Sequence, residues 1–288
     1  MNRKIFIGMS WLLLSWQALG AGMSVTDGRG KAQVFDTPPQ RIVSVLPSLT
    51  ESVCALGACA KLVGVDRYSN WPASVKKLPQ VGGGLDLNIE AIVRLKPDVV
   101  LAATSSRAGE RLEALGIKVL MFEPSSHEQV KSSLQALDAL LGTKQADALW
   151  RKVEEDVAQA AKLLPLAARG AKVYFEVDRT PYAAGEASFI GQTLAKLGLN
   201  NIVGQSLGAF PKINPEFVVQ QQPDVLVLSE RHAAELPMRP GWKQLKALQN
   251  QAVCKLTAEQ GDVVVRCGPR LAEGAKVLAQ CIARVMKK

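Results

Sequence analysis

The strongest constraint on the fold is that the chain repeats itself. LNIEAIVRLKPDVVL, starting at Leu87, returns as INPEFVVQQQPDVLVL, starting at Ile213. Asn88, Glu90, Pro97, Asp98 and Val99 recur as Asn214, Glu216, Pro223, Asp224 and Val225, all at an interval of 126 residues. Five matches in one register indicate a duplicated structural unit. In each copy an Asn caps a short helix, an acid occupies its first turn, and Pro-Asp stops it ahead of an apolar strand. In the second copy Pro215 takes the first helical position, where a missing N–H costs nothing.

The flanking segments fit the same scheme. MSVTDGRGKAQVF predicts a hairpin turning at Asp27-Gly28, and RIVSV predicts a strand that stops at Pro47. Ser48 and Glu51 form the S-x-x-E pattern of a capping box, so a helix is expected from Ser48 until Gly57 ends it. LVGV reads as a strand, and DRYSNWPASVKKLPQVGGGLD, rich in Pro and Gly, as a loop. After the Asn88 helix come DVVLA, SRAGERLEALG and IKVLMF, in the order strand, helix, strand. Such alternation predicts a parallel sheet in an α/β fold. From Ser126 to Leu164 no strand signal appears. Ala146, Leu149, Trp150, Val153, Val157, Ala160, Ala161 and Leu164 share one face of a long amphipathic helix, about 20 residues and roughly 30 Å long. KVYFEV, SFIGQTLAKLG, the second repeat copy and GPRLAEGAKVLAQCIARVM then resume the α/β pattern, with CKLTAEQGDVVV expected as a strand pair. The sequence thus predicts two Rossmann-like α/β lobes, 21–142 and 169–288, joined by one helix within 143–168, with a ligand cleft between them.

The first 20 residues stand apart: Arg3 and Lys4, an apolar run from Ile5 to about Leu14, then small residues with Ala18 and Gly20 at −3 and −1 of a cleavage site. That is a signal peptide, too short in its apolar part to span a membrane. No Cys follows the cut to carry a lipid, so an exported, periplasmic product is expected. The net charge of +9 becomes +7 without Arg3 and Lys4. The remaining Lys and Arg are scattered among acids, as in RKVEEDVAQAAK, which indicates a solvated surface and not a nucleic-acid site. Export permits disulfides. Cys254 and Cys267, flanking the expected strand pair, are placed to bridge. Cys54 and Cys59 straddle Gly57, where the chain folds back, and Cys281 is left as a buried thiol on an apolar helix face.

Ligands of open α/β sheets bind beyond the carboxyl ends of the strands. There the sequence places Tyr68 and Trp71, Tyr182 and Phe189, Phe210, Asp262 and Arg266. Aromatic walls with a few polar anchors suit a bulky, mostly apolar molecule. Catalysis has little support: His127 and His232 stand in unrelated contexts, and no nucleophile elbow, Walker loop or dinucleotide motif occurs. The alternative of an exported α/β enzyme requires a nucleophile and base meeting in the cleft.

RIVSVLPSLTESVCALG, LVGVDRYSNWP, LNIEAIVRLKPDVVLA, LGIKV, PYAAGEASFIG and FPKINPEFVV together resemble periplasmic binding proteins of ABC importers. The likeness covers nearly the whole mature chain. It is to the class with a single connecting helix, which carries vitamin B12, ferric siderophores and haem, and most of all to its cobalamin-binding members. The resemblance implies that Glu90 and Glu216 dock with a two-subunit membrane permease. It implies that Tyr68, Tyr182, Phe210 and the stretch Asp262, Val263, Val264, Val265 and Arg266 contact cobalamin. It further implies a monomer without a cofactor of its own. A ferric siderophore, favoured by several cleft Arg, or haem, favoured by a His or Tyr ligand, is the alternative cargo. Two departures stand out: GGGLD replaces an expected cleft aromatic before the Glu90 helix, and Cys281 matches a bridged cysteine whose partner position, near Leu197, is not Cys.

Overall fold

The computed structural model describes residues 22–84, 86–179 and 182–287; the expected signal peptide lies outside them. Among the described residues no helix is long and apolar enough to cross a membrane.

The chain opens with a hairpin of β1 (Met23–Thr26) and β2 (Ala32–Phe35). It continues through β3 (Ile42–Ser44), α1 (Pro47–Ala55), β4 (Leu62–Val65), α2 (Ile89–Arg94), β5 (Val99–Ala102), α3 (Arg107–Ala114) and β6 (Val119–Met121). Two helices follow, α4 (His127–Leu141) and α5 (Ala146–Ala161). Then come β7 (Lys172–Asp178), β8 (Tyr182–Ala183), α6 (Phe189–Lys196), β9 (Asn200–Asn201), α7 (Pro215–Gln221), β10 (Val225–Ser229), α8 (Glu230–Ala233), α9 (Lys246–Gln249), β11 (Val253–Leu256), α10 (Ala258–Val265) and α11 (Leu271–Met286).

The first lobe holds a parallel sheet in the order β4-β3-β5-β6. The second lobe repeats it as β9-β7-β10-β11, also parallel, with β8 added antiparallel to the end of β7. The 126-residue interval therefore maps β5 onto β10 and α2 onto α7. The match extends to the backbone. Asn88 and Asn214 cap their helices through their side-chain oxygens, to Ala91 N and Glu216 N. Lys96 and Gln222, 126 residues apart, both adopt positive φ, 47° and 46°, and end those helices. Asp98 Oδ2 accepts from Gln40 N and Arg41 N, and Asp224 Oδ2 accepts from Lys172 N. Each Asp thus ties the root of its own strand to the root of the neighbouring one.

Period-two alternation sends the two faces of each sheet into different cores. Val43, Val100, Ala102, Val119 and Met121 face a core private to the first lobe, with Ile92 and Leu112. Tyr174, Leu226 and Leu228 face one private to the second, around Trp242. The opposite faces, with Ile42, Val99 and Leu101 in one sheet and Val173, Phe175, Val225 and Val227 in the other, enter a single continuous core. Leu134, Leu137 and Leu140 of α4, Trp150, Val153 and Val157 of α5, and Leu278 and Ile282 of α11 fill it. The lobes share one interior.

Three expectations need correction. The amphipathic pattern belongs to α5 alone, which has 16 residues and so runs only roughly 24 Å; α4 precedes it as a separate helix. Ser48 does not cap α1: Pro47 starts that helix after Leu46, no side chain caps it, and Glu51 is buried against the other lobe. CKLTAEQGDVVV is not a strand pair. Thr257 Oγ1 accepts from Gln260 N while Gln260 Oε1 accepts from Thr257 N, and this capping box turns the chain into α10 straight after β11. The Cys254–Cys267 bridge falls with it, because no strand brings Cys267 back. Instead α11 packs along β11, and Cys254 bonds to Cys281 with Cα atoms 5.6 Å apart. Cys267 is a buried free thiol, its pKa pushed up by burial. Leu197, in the position where a partner for Cys281 was expected, is part of the core. Cys54 and Cys59 do form their bridge.

Candidate functional site

In a β4-β3-β5-β6 sheet the chain leaves β3 toward one edge and β5 toward the other, so a crevice opens beyond their carboxyl ends. A cavity of about 970 Å³ lies there. Every strand of the first sheet contributes to it: Val45, Leu46 and Pro47 follow β3, Asp66 and Tyr68 follow β4, Ser105 and Arg107 follow β5, and Glu123 follows β6.

Tyr68 is the cavity's exposed aromatic, 55% accessible. Its loop is fixed from beneath by buried hydroxyls. Thr50 Oγ1 lies 2.9 Å from Ser44 Oγ and 2.8 Å from Ser69 Oγ, and Ser69 Oγ in turn bonds to Asp66. Asp66 also accepts from Tyr68 N at 3.0 Å. Burial pushes the Asp66 carboxyl up, and the bonds from Ser69 and Tyr68 pull it back. The GGGLD departure finds a reason here. A Cβ on Gly83 would sit 3.0 Å from the Tyr68 ring and 3.1 Å from Arg67 Cγ, so the bare glycine lets the ring lie down on the loop.

Arg107 and Arg111, one turn apart on α3, line the same cavity and are exposed. Neither guanidinium has a carboxylate partner among the described residues. The sequence reading missed them. Their signal was position: Arg107 opens the helix after β5 and Arg111 follows one turn later on the same face, beside the crevice. Glu123, across the cavity, is occupied by Thr104 Oγ1, Ser105 N and Ser105 Oγ.

The second lobe differs. At the carboxyl end of β7, Glu176 is buried and holds the Arg239 guanidinium by two bonds, with His232 Nδ1 at 3.9 Å. Arg239 stacks over Trp242 at 4.6 Å. Here the chain's own Arg239 and Trp242 pack beside the buried carboxylate. Tyr182 and Phe210 lie on one ribbon, since Tyr182 bridges Lys212 and Ala183 N donates to Pro211 O. Both rings are exposed, 43% and 40%, and Phe210 meets Phe189 edge-on at 6.1 Å. Neither lines the first-lobe cavity.

The stretch from Asp262 to Arg266 lies at the end of α10. Val263 and Val264 are buried, Val264 in the shared core, and Val265 is exposed. Asp262 and Arg266 reach the first lobe, where Asn70 Nδ2 donates to Asp262 Oδ2 and Arg266 Nη2 donates to Tyr68 O. Glu90 and Glu216, each in the first turn of its helix, are both exposed.

This arrangement can be compared with known proteins. The Periplasmic binding protein family matches residues 42–260. An uncharacterized ABC transporter substrate-binding lipoprotein of Bacillus subtilis is 29% identical over 272 residues, which cover 90% of this chain and 85% of the relative. A vitamin B12-binding protein of Photorhabdus laumondii is 28% identical, covering 84% of this chain and 87% of its own. A crystal structure described as a possible iron-binding, periplasmic solute-binding protein from Staphylococcus epidermidis superimposes with a TM-score of 0.74 at 27% identity, over 85% of this chain and 99% of that one. The matched span includes both parallel sheets and the helices between them, so the whole two-lobed chain, and not one lobe of it, belongs to the periplasmic binding protein family.

Proposed function

We propose that the protein is the periplasmic solute-binding component of an ABC importer and that its cargo is cobalamin or a related corrinoid. The observation that carries this reading is the cavity of about 970 Å³ over the first sheet, at the upper end of the range for small-molecule sites, with mostly apolar walls, Tyr68 and a few charged groups at its rim. The similarity to vitamin B12-binding relatives across most of the chain supports the corrinoid. In this reading Tyr68 packs the ligand from the first lobe, Tyr182 and Phe210 close over it from the second, and the Asp262–Arg266 stretch borders it. Glu90 and Glu216 engage the two permease subunits.

Arg107 and Arg111 favour a second reading. Two unpaired guanidiniums one turn apart suit carboxylate or other anionic groups. A ferric siderophore or haem carries such groups, and the Staphylococcus epidermidis neighbour is described as possibly iron-binding. Titration of the mature protein with cyanocobalamin, haem and a ferric tris-catecholate separates the two. The corrinoid reading expects a cyanocobalamin Kd of about 1 μM or below, weakened at least about tenfold by Tyr68→Ala. Binding of an anionic iron chelate alone, lost in Arg107→Gln with Arg111→Gln, replaces cobalamin by the second cargo.

A further inference from the structure

We propose that Glu51, Arg266 and Arg270 form a buried latch that holds the two lobes at one angle and pins the Tyr68 loop, so that Arg266 positions the ligand face without touching the ligand. It rests on the reading that the ligand is held at this cleft.

The donor inventory of Arg266 is the first observation. A guanidinium has five N–H donors, four of them on its two Nη atoms. Arg266 Nη1 donates to Glu51 Oε1 at 2.9 Å and to Asn70 Oδ1 at 2.7 Å. Its Nη2 donates to Tyr68 O at 3.1 Å and to Asp262 Oδ2 at 2.8 Å. Every Nη hydrogen has its acceptor, and the side chain is only 10% accessible. Three of those acceptors belong to the other lobe, and one is the carbonyl of the cavity's aromatic residue.

The second observation is that the contact is built from both sides. Glu51, 1% accessible, sits on α1 of the first lobe and faces two guanidiniums of the second, Arg266 and Arg270. Arg270 also stacks over Trp71 of the first lobe at 4.8 Å and pairs with Glu273. Asn70 closes a ring, accepting from Arg266 and donating to Asp262. Between the two arginines the backbones touch: a Cβ on Gly268 would lie 3.2 Å from Ser48 Cβ and 3.3 Å from Ser48 O. A side chain at Gly268 would press against α1 and push the second lobe back by a few tenths of an ångström. A buried carboxylate stripped of its arginines is strongly disfavoured, so any shift of the lobes too small to let water reach Glu51 is opposed.

The test uses the ligand-free mature chain with spin labels at Leu115→Cys and Lys243→Cys, exposed positions on opposite lobes. Pulsed EPR is expected to give one narrow distance. Glu51→Gln should at least roughly double its width and speed hydrogen exchange in residues 66–71 about tenfold, while residues 271–286 exchange as in the parent. Arg270→Gln, which leaves Glu51 its other arginine, should move both readouts the same way by less, and it serves if Glu51→Gln does not fold. Arg266→Lys keeps a charge for Glu51 but cannot reach both Tyr68 and Asn70; it should keep the narrow distance and loosen only 66–71. Parental widths and exchange in folded Glu51→Gln and Arg270→Gln overturn the latch, and a parental 66–71 in Arg266→Lys overturns the positioning role. Both readouts are taken without ligand, so failure of cyanocobalamin to bind refutes the cargo assignment and not this one.

Discussion

Lowering the pH from about 7.5 to about 5 should remove about 2 kcal/mol of stability through one imidazole, that of His127. His127 opens α4 where three helices meet. Its ring stands edge-on to Trp150 of α5, with centroids 6.3 Å apart, and Nε2 lies 2.9 Å from Thr193 Oγ1 of α6. The Thr193 hydroxyl already donates to Phe189 O, so Nε2 carries a proton and donates to Thr193 Oγ1. Burial, and then the charge of Lys196, lower its pKa from 6.5 to about 4. The folded pKa lies below the unfolded one, so the contribution is fully present above the unfolded value. It is lost as the pH falls toward the folded value. About 2.5 pK units at 1.36 kcal/mol each set a limit of roughly 3 kcal/mol, most of it reached near pH 4. The control is His127→Gln, which keeps a donor for Thr193 and does not titrate. Urea unfolding of both proteins at the two pH values should show the parent losing about 2 kcal/mol more than the variant. Equal losses would refute the argument that His127 is buried neutral.

Non-reducing peptide mapping should recover Cys254 joined to Cys281 and Cys54 joined to Cys59, with Cys267 alkylated only after unfolding. Cys281→Ser should lower stability by roughly 3–4 kcal/mol, the chain-entropy value for a loop of this length, whereas Cys267→Ser should leave both bridges in place. Glu90→Ala with Glu216→Ala should abolish stimulation of the importer's ATPase while leaving ligand affinity unchanged; unaltered stimulation would remove these acids from the docking surface.

What was legible in the sequence was local. Asn88 and Asn214 read as caps because a cap bonds within three residues, and both do. Tyr68, Tyr182 and Phe210 were legible as loop residues beside Pro or Gly beyond the strand ends; all three are exposed, and Tyr68 alone of them lines the first-lobe cavity. The failures were non-local. Ser48 and Glu51 satisfied a capping pattern, but Pro47 had already started the helix, and Glu51 found its partner in Arg266, 215 residues away. DVVVR has the composition of a strand, yet the Thr257–Gln260 box and the burial of Val263 and Val264 against α11 made it a helix. The cysteine pairing followed from that one element. Arg107 and Arg111 carried no motif at all; only the strand order, which the alternation of elements leaves open, places them at the crevice.

The repeated unit has a mechanical consequence. In parallel α/β units the helix runs against its strands, so the starts of α2 and α7 lie at the same end of the sheets as the cleft. At its far end each helix runs through Lys96 or Gln222 into an aspartate whose carboxylate grips the root of the neighbouring strand. Glu90 and Glu216 therefore stand at the cleft end of two short helices, each tied at its far end to the root of its own sheet. In the proposed docking, a partner that held both acids would straddle the cleft mouth and pull on the sheets themselves. Between the two helices lie the shared core and the Glu51 contact, which a separation of the lobes would have to break. Under that docking the work of opening would fall in the seam between the lobes, and the cargo would leave on the side where the partner sits.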